Sequence, residues 1–154
     1  MSRKILKSYP HLDELNNYSL QVMSLVIKAY PSWGGYAQVG EFKGEKYLEI
    51  KIPTPYKPTE RDLMITTPNN DLTIYFDWYH AHFGRRFTTP KEAFERAHIF
   101  IERILQENFI AAIKMVDGTL AGSGWYTPST LHEIKEGEVS YTRSWRGTYN
   151  RNYE

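Results

Sequence analysis

Apolar residues recur at helical spacing between residues 13 and 29, where Leu15, Val22, Met23, Val26 and Ile27 mark one face. Pro31 prevents clean continuation, and Ser32-Trp33-Gly34-Gly35 reads as a turn. The period then falls to two. Leu48, Ile50 and Ile52 share one face while Glu49 and Lys51 share the other, the alternation of a half-buried strand. Strands are therefore expected over 36–42 and 47–53, joined by a short hairpin loop at Lys43-Gly44-Glu45. Pro53, Pro55 and Pro58 make 53–60 an extended surface connection, because proline cannot donate to a ladder. A short strand over 63–66, a turn at Pro68-Asn69-Asn70-Asp71 and a longer strand over 72–79 follow.

The helical period returns after Thr89-Pro90-Lys91-Glu92. Here threonine can cap, proline suits the first helical position, and glutamate completes a capping box. Phe94, Ala97, Ile101, Ile104 and Leu105 form the apolar stripe of this second helix, expected over 90–107. Two further strands, 109–116 and 120–126, flank the hairpin signature Asp117-Gly118. A polar loop (127–137) and a last strand (138–145) complete the chain, with 147–154 read as a tail free to fray. The pattern predicts an α+β fold: one domain over 1–154, with two main helices packed on an antiparallel sheet of about six strands.

Composition narrows the chemistry. The 154 residues contain no cysteine, which excludes disulfides, thiolate catalysis and iron–sulfur ligation. Lys and Arg number 19 against 18 Asp and Glu, so the basic excess of a dedicated duplex-DNA binder is missing. Nucleic acid is accordingly a disfavoured partner. No apolar run reaches the roughly 20 residues of a membrane span or the length of a signal peptide, so the expectation is a cytoplasmic protein without a membrane partner. Aromatic residues make up 15%, including 12 Tyr and 4 Trp, which suits contact surfaces as well as cores.

Two segments concentrate candidate chemistry. In Tyr75-Phe-Asp-Trp-Tyr-His-Ala-His-Phe83, Tyr79, His80 and His82 are candidate binding residues. On one continuous strand His80 and His82 would share the face of Leu72, Ile74, Phe76 and Trp78. With His98 they could hold a divalent metal, and Glu102 or Asp77 could accept a proton. The competing reading makes all three ordinary histidines at the core's edge. No phosphate loop, nucleophile elbow or dinucleotide signature occurs, so no cofactor is expected. In 140–153, Tyr141, Arg143, Trp145 and Arg146 interleave aromatics with cations. Such residues dominate protein–protein contacts and can also stack single-stranded bases. On one strand Tyr141, Arg143, Trp145 and Tyr149 would share a face.

The run Ile65-Thr-Thr-Pro-Asn-Asn-Asp-Leu-Thr-Ile-Tyr-Phe-Asp-Trp-Tyr-His-Ala-His-Phe83 resembles small bacterial proteins associated with polymorphic toxin systems. The terminal Tyr141-Thr-Arg-Ser-Trp-Arg-Gly-Thr-Tyr149 is similar to the same group. The likeness spans roughly the latter 90 residues, within one domain of ordinary size. It implies an immunity-type protein that binds and neutralises a cognate toxin stoichiometrically, and it carries over no functional residues.

Overall fold

A computed structural model describes residues 2–59, 61–84 and 89–153. Glu60 and Glu154, the last residues of the proline connection and of the tail, lie outside the described residues. The class is α+β, as the periodicities require, but the strands divide between two antiparallel sheets instead of one. The first has the order β1-β2-β3-β4-β5: Ala37–Phe42, Glu45–Ile52, Leu63–Thr66, Thr73–Phe76 and Tyr79–His82. The second has the order β7-β6-β8-β9: β6 is Ile110–Val116, β7 Thr119–Tyr126, β8 Tyr141–Arg143 and β9 Arg151–Asn152. Among the described residues the α-helices are α1 (Ser2–Ser8), α2 (Asn17–Ala29) and α3 (Pro90–Leu105). Among the described residues no helix is long and apolar enough to cross a membrane.

The chain gathers into two compact units, each built from separated segments. One comprises Met1–Ile52, Met64–Ile74 and Ala81–His98; the other comprises Pro53–Leu63, Tyr75–His80 and Ile99–Glu154.

In the first unit, α2 begins four residues later than periodicity predicts. Asn16 is its cap, its side chain accepting from the Ser19 N–H at 2.9 Å, and the preceding Pro10–Leu12 forms a 3₁₀ turn. Leu20, Val22, Met23 and Val26 are buried. The Ser19 hydroxyl pairs with that of Thr67 at 2.6 Å, and the Leu48 N–H donates to the same Thr67 oxygen at 3.0 Å. These bonds satisfy polar groups where α2 meets the sheet. The β1–β2 hairpin turns on two residues, Lys43 (φ 50°) and Gly44 (φ 81°), the paired positive angles of a type I′ turn. Its register sets Ala37 opposite Ile50 and Phe42 opposite Glu45.

The predicted strand 72–79 is two strands. The chain reverses at Asp77-Trp78, where Asp77 takes φ 55° and its Oδ1 accepts the Trp78 N–H at 2.8 Å. Aspartate tolerates this left-handed angle because its short side chain can bond locally. His80 and His82 therefore sit on the returning strand β5, both exposed, while Tyr79 and Ala81 are half-buried.

In the second unit, β6 and β7 turn at Asp117 (φ 50°) and Gly118 (φ 75°), as the Asp-Gly signature predicts, with a bulge between Lys114 and Met115. The predicted strand 138–145 shortens to β8. Beyond it the chain folds back, and β9 pairs Asn152 with Tyr141 and Arg151 with Thr142. Side chains close this loop. Thr142 donates to the Tyr149 carbonyl at 2.7 Å, the Asn150 side chain accepts the Ser144 N–H at 2.8 Å, and Gly147 turns at φ 80° against the Tyr56 ring.

Candidate binding site

The proline segment at the start of the second unit is folded by one carboxylate. Asp62 accepts the Thr54 N–H at 3.0 Å, the Thr59 N–H at 3.0 Å and the Thr59 hydroxyl at 3.2 Å. The Thr59 hydroxyl oxygen also accepts the Arg61 N–H at 3.1 Å. Pro55 and Pro58 supply no N–H to this region, so the side chains of Asp62 and Thr59 take over the satisfaction of its backbone.

Arg143, the last residue of β8, locks this loop to the Asp77 turn. Its guanidinium pairs with Asp62 Oδ1 and with Asp77 Oδ2 at 3.0 Å, and donates to Thr59 Oγ1 at 2.8 Å and Thr54 Oγ1 at 3.3 Å. All three charged residues are buried, with Arg143 only 7% exposed. Tyr141 lies two residues earlier on the same strand face and donates its hydroxyl to Asp77 Oδ1 at 2.7 Å. Burial, then the bond to Asp77, pushes the Tyr141 phenol well above its usual range. Tyr141 is thus held as a protonated donor.

Above this floor opens a concavity of about 470 Å³ lined by Thr59, Arg61, Asp77, Trp78, Tyr141 and Arg143. Its rim is formed by Arg61, whose guanidinium carbon lies 3.2 Å from the centre of the Trp78 ring. Arg61 is exposed and Trp78 half-buried. Formal charges balance: Asp62 and Asp77 against Arg143 and Arg61. Arg143, Asp62 and Asp77 are committed to one another. The Arg61 side chain makes no hydrogen bond or ion pair among the described residues.

The residues singled out from sequence distribute as follows. Tyr141 and Arg143 line the concavity together, but Arg143 is a buried counter-ion and not an exposed anchor. The expected stripe Tyr141–Arg143–Trp145–Tyr149 does not form, because β8 ends at Arg143 and the chain turns. Trp145 instead lies 6.5 Å from Phe76, and Arg146 extends an exposed side chain 3.6 Å from Glu107. Tyr79 packs its ring against Phe109 at 5.0 Å and Phe100 at 6.2 Å. His80 lies against Tyr75 at 5.4 Å. His82 Nδ1 meets Asp71 at 2.8 Å and Thr73 at 3.1 Å. His98 stacks on Phe94 and meets the Tyr30 ring edge-on.

Among the described residues no three His, Asp or Glu side chains group so as to hold a metal ion. His80, His82 and His98 are therefore not assembled as a ligand set. The residues that sequence reasoning missed are Thr59, Arg61, Asp62 and Trp78. The one local signal was Thr59-x-x-Asp62, a hydroxyl and a carboxylate spaced to bond each other's backbone.

No family model matches the chain, and neither a curated protein nor a solved structure does.

Proposed function

We propose that this chain is a stoichiometric binding protein of the immunity type, acting in the cytoplasm, which docks a protein toxin onto the Arg61–Trp78–Tyr141 concavity. The observation that carries the reading is Arg61 laid on Trp78 above a floor in which Arg143 already holds both carboxylates. Tryptophan, tyrosine and arginine are the residues that supply most interface energy, above all where their rotamers are fixed beforehand. A catalytic site would need a group poised to exchange a proton near neutral pH. In this floor the carboxylates are bound to Arg143, and the Tyr141 phenol is displaced away from neutrality.

The test is co-expression with a toxin encoded beside this chain's gene. The expected outcome is a one-to-one complex by light scattering and protection from growth arrest. Trp78→Ala should weaken the complex at least tenfold, a loss of about 1.4 kcal/mol or more, as removal of an aromatic anchor does. Absence of both complex and protection overturns the reading.

A further inference from the structure

Resting on that reading, we propose that the concavity recognises a single carboxylate, the side chain of an aspartate or glutamate on the partner protein, gripped edge-on by Arg61. At 3.2 Å from the ring centre the guanidinium can only lie flat on the Trp78 indole. Its N–H donors then radiate in one fixed plane at the rim, and none is engaged by a described residue. A carboxylate approaching in that plane accepts two parallel bonds from a fork already held in place, so little side-chain freedom is lost on binding.

The surroundings choose among anions. Asp77 lines the floor, and with Asp62 it brings two negative charges against the single positive charge of Arg143. The floor beneath Arg61 is thus negative by one unit. With Arg61 counted the site is neutral, so a bound carboxylate leaves it negative by one unit and a phosphate dianion by two, and the dianion is repelled the more strongly. A nucleobase is disfavoured for a separate reason: Arg61 already covers one face of the Trp78 ring that would stack it.

The experiment is an NMR titration of the full chain, following the Trp78 indole N–H and the Arg61 Nε–H, assigned with Trp78→Phe and Arg61→Lys. The probes are N-acetyl-glutamate N-methylamide, its glutamine analogue and inorganic phosphate at matched ionic strength. Saturable shifts with the glutamate compound and none with glutamine are expected, weakened about tenfold or more by Arg61→Lys, which keeps the charge but loses the fork, and abolished by Arg61→Gln. Equal shifts with glutamine, tighter binding of phosphate, or binding retained in Arg61→Gln would overturn the inference. A thermal melt of Arg61→Gln, expected unchanged because the side chain is exposed, separates loss of the site from loss of the fold. The two readings also fail separately. A toxin held equally by wild type and Arg61→Gln removes the carboxylate but keeps the binding protein. Saturable glutamate binding without any toxin complex does the reverse.

Discussion

Arg143 sits in an Arg/aromatic run that looks like surface, yet its charge is spent inside the protein on Asp62 and Asp77. Breaking a buried ion pair leaves uncompensated charge, so Arg143→Met, which strands both carboxylates, should cost about 3–5 kcal/mol in urea unfolding, and Asp77→Asn, which leaves Arg143 paired with Asp62, should cost less. The double variant should lose less than the sum, because the second change removes a charge that the first left stranded. Tyr141 offers a pH test. Its phenol is raised in the folded state, first by burial and then by its bond to Asp77. The neutral form is favoured on folding, so its contribution is whole below the unfolded value near ~10 and is lost as pH rises above it. Tyr141→Phe should cost about 1 kcal/mol at neutral pH through the lost hydrogen bond, and should flatten the alkaline fall in stability relative to wild type.

At the scale of elements, α3 ends in an unexpected way. Glu107, two residues past the helix, adopts φ 59°, a position that favours glycine. It is kept there by what its carboxylate does: Oε1 accepts the Arg146 N–H at 2.7 Å and the Thr148 N–H at 3.3 Å, tying the helix end to the loop before β9. Burial alone would raise this carboxyl, but the bonds from Thr148, Ser144 and the two backbone N–H groups outweigh it and hold the group below its usual range. The contribution is therefore present above the unfolded value near ~4.3 and is lost as pH falls through the lower folded value. Glu107→Gln should destabilise by about 1–3 kcal/mol at pH 7 and by less in acid, read from melts across pH. On the same helix, Ile101 is fully buried. Ile101→Asp should cost about 3 kcal/mol or more by calorimetry, since it strands a charge in an apolar site. An unchanged melting temperature would mean that the face is assigned wrongly.

For the whole molecule, a formal net charge of +1 gives no basic excess to meet a phosphate backbone, and Arg143 is buried away from it. Labelled single-stranded DNA or RNA should bind only at low salt, and Trp145→Ala should not weaken it. Saturable binding at physiological salt that Trp145→Ala abolishes would displace the toxin-binding proposal.

How far the sequence reached depended on the range of the forces involved. Lys43-Gly44 and Asp117-Gly118 were legible as hairpins because a two-residue turn needs positive φ, and that demand is local. Thr89 was legible as the start of α3, where its hydroxyl accepts the Glu92 N–H at 3.2 Å. The buried stripe of Phe94, Ala97, Ile101 and Ile104 followed from period alone. These signals fixed the α+β class. The reversal at Asp77-Trp78 was not legible: apolar and aromatic residues run through it without glycine, and the angle is held partly by a side chain bonding its own neighbour. That one reversal decided where His80 and His82 lie. The concavity needed more still, because Arg61, Trp78 and Arg143 are brought together by a carboxylate-folded loop, a tight turn and a strand end far apart in sequence. Hydrophobic period and turn chemistry act between near neighbours, so the sequence by itself determined the elements. Which charges pair, and which one stays at the surface, is settled by long-range burial, and only the tertiary structure decided that.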